Sequence, residues 1–275
     1  MIILSATEKL KKIENILQEE YDGGRHLFLA YGYTGYVDGL GRNIAEWLNK
    51  NKKRTLTMVI GLHQDRKKNL LLSAMNGEYT IDKLESGKLK IENSGVFDYI
   101  EKLTSDIVKN LKEHELIIED LERKSIFDIK FRKIGDAMQE ISNRINFYTY
   151  PGYHGKLFSI ISDELEDLED LEGECVSEIR HLIIGSANLS DNSFFHKTEV
   201  NIYSDNFTID NIVTIRDIYR KLCLRKGGNP EEILLAAEFS REAESRKNEA
   251  ITWHIENLKK SYTKQYNDAH GLPID

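Results

Sequence analysis

Two apolar runs separated by one helix-length segment restrict this chain more than any other feature. Residues His26–Tyr31 read HLFLAY and residues Thr55–Gly61 read TLTMVIG. Both have the length and composition of buried strands, and the second is β-branched and ends in glycine. Between them lie a loop rich in glycine and tyrosine, GYTGYVDGLG, and a helical stretch near 42–50 carrying Ile44 and Leu48. Strand, helix and strand at this spacing make a parallel pair, because the crossover returns the chain to the same end of the sheet. The expected class is α/β.

The flanking segments extend this reading. Residues 7–20 place Leu10, Ile13, Ile16 and Leu17 on one face of an amphipathic helix. A helix is expected over 95–113, a strand over Ile126–Phe131 and a helix over 133–143. Ile145–Tyr150 and Tyr153–Ile161 read as strands on either side of Pro151-Gly152. Leu182–Ile184 and Thr198–Tyr203 read as further strands, and 209–224 as a helix. Lys226-Gly227-Gly228-Asn229-Pro230 is the best linker. Residues 231–266 then form one long helix or two, with Leu235, Phe239, Ile251 and Ile255 among the apolar positions. The chain therefore divides into a domain at 1–225 and a helical C-terminal extension at 231–275.

With 275 residues, 40 % of them hydrophobic, the chain can bury a sizeable core. It has no run of 18 apolar residues, so no membrane-spanning helix is expected. The opening MIILSATEKLKK lacks a basic leader and reads as part of the fold, not as a secretory signal. Cys175 and Cys223 have no metal-type spacing, and two cysteines suit a reduced cytoplasm. The formal charge of −8 first argues against an anionic substrate. Residues 163–178 alone hold nine acidic side chains, however, and without them the balance would be +1. The acidity is local, so charge does not exclude nucleic acid.

Residues 154–199 hold the chemistry. They carry His154-Gly155-Lys156, Gly185-Ser186-Ala187-Asn188 and Glu199. A histidine can attack phosphorus, and a glutamate can hold its other ring nitrogen. Lysine, the asparagine amide and the serine hydroxyl can bind phosphoryl oxygens. With eight histidines in the chain, His-x-Lys alone means little. All three pieces in order have a chance expectation on the order of one in a thousand. His154 and Lys156 alternate along an expected strand and so share a face. These residues can supply the charge that a metal ion supplies elsewhere, so the expectation is chemistry without metal or other cofactor. The blander readings are a satisfied strand histidine for His154, turn formers for Ser186 and Asn188, and a solvated strand residue for Glu199.

On these residues the chain resembles the phospholipase D superfamily, and within it the nuclease branch of NgoFVII-type and BfiI-type restriction endonucleases. His154, Lys156, Ser186, Asn188 and Glu199 carry the likeness, which covers roughly 1–225. AYGYTGYVDGL and TMVIGL resemble the opening of those nuclease domains. The superfamily's aspartate five residues after the lysine is replaced by Ile161, as in the restriction-type branch. The acidic segment also lengthens the link between Lys156 and Asn188. The resemblance implies a mixed sheet flanked by helices and cleavage of DNA through a phosphohistidine on His154. Members use two copies of the motif, and this chain has one. A homodimer with its active site on the two-fold axis is therefore implied. It also implies a restriction or phage-defence setting. With so short a tail, sequence recognition is expected either from a partner, such as an ATP-dependent translocase or helicase subunit, or not at all, the enzyme then cutting with little specificity. The competing readings are a lipid phosphodiesterase and a non-catalytic assembly subunit.

Other features have two readings each. Lys50-Asn51-Lys52-Lys53-Arg54 is either a nucleic-acid contact or a solvated helix end. Tyr31, Tyr33 and Tyr36 either stack on bases or pack. His196 is either an auxiliary acid or a loop residue. The 163–178 segment is either a solvated loop or a flap over the site.

Overall fold

The computed structural model describes residues 1–19, 24–32, 34–35, 37–61, 95–111, 139–150, 153–162, 179–190, 193–194, 199–205, 209–223 and 230–270. The strands are β1 (Ile2–Ser5), β2 (His26–Tyr31), β3 (Thr55–Gly61), β4 (Ile145–Tyr150), β5 (Lys156–Ile161), β6 (Ile179–Gly185) and β7 (Val200–Ser204). The helices are α1 (Ala6–Gln18), α2 (Leu40–Asn49), α3 (Gly95–Lys109), α4 (Ile209–Leu222) and α5 (Pro230–His270). The strands form one mixed sheet in the order β1-β7-β6-β5-β2-β3-β4. β2, β3 and β4 are parallel, and the remaining pairings are antiparallel. The β2-α2-β3 unit is the expected crossover, with His26 opposite Thr55 and Tyr31 opposite Ile60. The architecture is the expected α/β class, a mixed sheet flanked by helices.

Both faces of the sheet are covered at β2 and β3, which explains why these strands are apolar nearly throughout. Leu27, Leu29, Met58, Ile60, Phe158 and Ile160 pack on one side with residues of α1, α2 and α3. Phe28, Ala30, Val59, Leu157 and Ile161 pack on the other with Ile215, Tyr219 and Leu222 of α4. Helix α1 starts at a capping box. Glu8 N–H donates to the Ser5 hydroxyl at 3.4 Å, and Ser5 N–H donates to the Glu8 carboxylate at 2.7 Å. Gly41 lets α2 approach α3 closely, since a Cβ there would lie 2.5 Å from the Asp106 Cβ.

Residues 230–270 form one helix. Its early part is built into the core. Phe239 stacks on Phe97 of α3 at 6.2 Å, and Ala243 and Ile251 are buried. The Ser240 hydroxyl accepts from the Thr149 N–H at 3.1 Å and so occupies backbone of β4, the strand at one sheet edge. The buried Lys247 donates to the carbonyls of Ser142 (3.0 Å) and Ile145 (2.8 Å).

Several boundaries differ from the sequence reading. The opening MIILS contributes a strand, β1, paired antiparallel with β7. A four-residue edge strand is too short to show a period in sequence. β6 is longer than Leu182–Ile184. β5 begins at Lys156 and not at Tyr153, for a reason that lies in the site. Residues 139–144 are helical and overlap the helix expected at 133–143, whose first part lies outside the described residues. The strand expected at Ile126–Phe131, the acidic segment 163–178, linker residues 226–229, Tyr33, Tyr36 and His196 fall outside the described residues.

Candidate active site

Four adjacent strands bring the motif residues to one end of the sheet. Tyr31 closes β2 and is the cross-strand partner of Lys156, which opens β5. Leu157 pairs with Ile184, so Lys156 runs beside Gly185 at the end of β6. Gly185 in turn pairs with Asn201 of β7. Glu199 lies one residue before β7, and Ser186 to Asn188 lie just past β6. Neighbouring strands are about 4.8 Å apart, so β5, β6 and β7 span roughly 10 Å. Residues far apart in sequence thus share one sheet end.

His154 does not belong to a strand, contrary to the expected alternation with Lys156. Its backbone lies across the ends of β2 and β3. A Cβ on Gly32 would meet the His154 Cα at 2.6 Å, and one on Gly61 would meet the Tyr153 carbonyl at 2.4 Å. The Tyr153 ring folds over Gly155, where a Cβ would come within 2.1 Å of its hydroxyl. Gly32 N–H donates to the Gly155 carbonyl at 2.8 Å and fastens this crossing to β2. Three glycines therefore set the backbone that carries the histidine. His154 is exposed, and its carbonyl accepts from the Lys156 ammonium. Burial holds the Lys156 ammonium below its ordinary pKa, with Glu199 opposing the shift.

The turn after β6 is fixed by Val200 and Asn201. Ser186 N–H donates to the Val200 carbonyl at 3.0 Å, and Val200 N–H donates to the Ser186 hydroxyl at 3.0 Å. The Ser186 hydroxyl, which the sequence reading offers to a phosphoryl oxygen, is thus engaged with Val200, as is the Ser186 amide. Ala187 N–H donates to the side-chain carbonyl of the buried Asn201 at 3.3 Å. Asn188 is half-buried, and its Oδ1 is buried without a hydrogen-bond partner among the described residues. A buried amide oxygen in that state needs an incoming donor, such as water or a ligand group.

Sequence reasoning missed Lys9. It lies in the apolar arc of α1 with Ala6, Leu10, Ile13, Ile16 and Leu17, and it is fully buried. Its ammonium donates to the Ala187 carbonyl at 2.8 Å and stands 5.0 Å from the centre of the Tyr31 ring. Burial pushes its pKa down to about 7. The Glu199 carboxylate raises it, and the Lys156 ammonium lowers it further. A lysine one position before Leu10 and four before Ile13 was the available signal.

The basic cluster resolves towards structure at two positions. Lys50 donates to the carbonyls of Leu17, Gln18 and Glu19 and so closes the end of α1. The buried Arg54 donates to the carbonyls of Gly24 (3.0 Å) and Trp47 (2.9 Å). Tyr31 is buried in the core. Among the described residues, no helix is long and apolar enough to cross a membrane, and no group of three or more His, Cys, Asp or Glu is arranged to hold a metal ion.

No protein-family model matches the chain, and no curated protein matches it. Among solved structures it is similar to NucT from Helicobacter pylori, at 11 % identity and a TM-score of 0.39, over 80 % of this chain and 93 % of that one. It is also similar to the polyphosphate kinase from Porphyromonas gingivalis, at 7 % identity and a TM-score of 0.43. That likeness covers 83 % of this chain and 26 % of the kinase. Likeness at this level assigns neither a family nor an activity.

Proposed function

We propose that the chain is a phospholipase D-like phosphodiesterase that cleaves DNA without a metal ion, through a phosphohistidine on His154. The observation that carries this reading is the meeting of three separate motif segments at the adjoining ends of β5, β6 and β7. An exposed imidazole, a half-buried ammonium and a carboxylate acting on that ammonium stand at one sheet end. In the proposed reaction an imidazole nitrogen of His154 attacks phosphorus, forming an N–P bond while the P–O bond to the leaving group breaks. The same histidine of a second copy donates the proton that the leaving oxygen takes up. It then accepts a proton from the water that hydrolyses the phosphohistidine. Lys156 balances charge on the phosphoryl oxygens, Asn188 orients them, Glu199 orients the imidazole, and Ser186 holds the turn.

The homodimer belongs to this proposal. Its support is an exposed apolar ladder beside the site. Ile3 and Ile202 are cross-strand partners, as are Ile184 and Ile202, and Val200 lies two residues away. Ile3 is 70 % and Val200 60 % exposed. Large aliphatic groups side by side on a sheet face suit a self-complementary interface. We further assign the chain to a cytoplasmic restriction or phage-defence setting, with recognition or ATP-driven translocation from a partner subunit. We also assign 1–225 as the nuclease domain and 231–275 as a helical extension whose early part is built into the core.

The test is plasmid cleavage with and without chelator. Cleavage that persists in chelator and disappears in a folded His154→Ala variant is expected. Activity that vanishes with chelator and returns with magnesium would overturn the metal-independent mechanism.

A further inference from the structure

We propose that Lys9 is a positioning residue of this site: its buried ammonium pins the Ser186-Ala187-Asn188 turn through the Ala187 carbonyl and shares the Glu199 carboxylate with Lys156. The inference rests on the phosphodiesterase reading for its activity readout, though not for its charge network.

The geometry sets Lys9 apart from a packing residue. A fully buried ammonium is expensive to desolvate, and an apolar side chain of similar volume would fill the same arc of α1 at less cost. Among the described residues its one hydrogen-bond acceptor is the Ala187 carbonyl, at 2.8 Å. That carbonyl sits between the serine and the asparagine of the motif. Lys9 therefore acts on the two side groups without touching substrate. α1 is tied to the same region a second time, where the Thr7 hydroxyl donates to the Phe194 carbonyl at 3.0 Å.

The charged and titratable groups that act on Lys9 come from β2, from β5 and from the residue before β7. Tyr31 of β2 offers its ring face, Lys156 of β5 repels it, and Glu199 before β7 attracts it. Two ammonium groups compete for one carboxylate. When Lys9 carries its proton, the Glu199 carboxylate acts on two cations. When Lys9 is neutral, the carboxylate acts on Lys156 and on an imidazole that enters the site. The state of Lys9 thus sets how much of the Glu199 charge is left for the reacting groups, and the changeover lies near neutral pH, since Lys9 is held at about 7.

The experiment has two arms. In the first, the Lys9 side-chain ammonium is titrated by heteronuclear NMR in the wild type, Glu199→Gln and Lys156→Met. The expected result is a lower midpoint in Glu199→Gln and a higher one in Lys156→Met. A Lys9 midpoint identical in all three proteins would overturn the shared network. In the second arm, Lys9→Met and Lys9→Arg are assayed on a phosphodiester across pH. A folded Lys9→Met should lose about tenfold or more in kcat with KM nearly unchanged, and should lose the inflection near neutral pH. Partial rescue by Lys9→Arg is expected. A folded Lys9→Met with the wild-type kcat and pH profile would overturn the positioning role. If Lys9→Met does not fold, the NMR arm decides. If the wild type cleaves no phosphodiester, the DNA reading fails while the NMR arm still judges Lys9.

Discussion

Ser186 and Val200 bind each other in both directions across the β6–β7 junction. The Val200 N–H donates to the serine hydroxyl at 3.0 Å, and the hydroxyl lies 3.3 Å from the Val200 carbonyl, to which it donates. The serine is thus a fastener of the turn that presents Asn188. Ser186→Ala should cost about 1 kcal/mol of stability. Its activity loss should be partial, well short of that in His154→Ala. Chemical denaturation and initial rates of DNA cleavage, measured on the same preparations, check both.

Gly32→Ala tests how the proposed nucleophile, His154, is held. The added methyl would lie 2.6 Å from the His154 Cα and the Tyr153 carbonyl. Backbone must move to admit it, at a cost of about 1–3 kcal/mol. Activity should fall by about a hundredfold or more, because a displacement near 1 Å misaligns the attack. A well-folded variant with wild-type kcat would contradict this account.

His26 gives the fold a pH dependence. The ring is buried, and desolvation holds its pKa down to about 3, from an ordinary 6.5. Between those values the unfolded chain binds a proton that the folded chain does not. Its contribution to stability is therefore intact above pH 6.5 and is lost progressively as pH falls towards 3. Urea midpoints should drop between pH 7.5 and pH 4.5. The drop should be smaller in His26→Leu, even though loss of the Thr55 contact lowers the midpoint at both pH values.

Truncation tests the division near 226–230. Removal of all residues from 230 onward would uncover Phe97 and the β4 backbone and leave the acceptors of Lys247 without their donor. The shortened chain should be insoluble or molten. Truncation after Glu256, beyond the buried Ile251, should leave the melting temperature within a few degrees. Thermal unfolding of the soluble fractions distinguishes these outcomes.

Ile202→Lys tests the second copy. The side chain is exposed in the single chain, so the fold should be retained. A charge in the middle of the apolar ladder should yield a monomer by light scattering, with DNA cleavage lost together with the dimer. A dimeric and active Ile202→Lys would remove this surface from the proposal.

How far each feature was legible depended on the range of the forces behind it. The β2-α2-β3 unit was readable because burial on both faces writes itself into every residue of HLFLAY and TLTMVIG. The turn after β6 was readable because Gly185 must clear the Asn201 side chain, and a Cβ there would come within 2.4 Å of its Oδ1. β1 was not, because an edge strand of four residues shows no period. The strand placement of His154 failed because the glycines that displace it, Gly32 just past β2 and Gly61 at the end of β3, lie on distant segments.

The order of residues by itself determined the parallel pair, the amphipathic helices and the chemical types available at 154–199, since these follow from local periodicity and side-chain chemistry. The tertiary structure alone decided that Lys9 reaches Ala187, that Ser186 spends its donors on Val200, and that the Glu199 charge acts on both Lys9 and Lys156. Those relations depend on strand register and on depth below the surface. Neither quantity is written in any one segment, because each arises when distant segments exclude water from the same place.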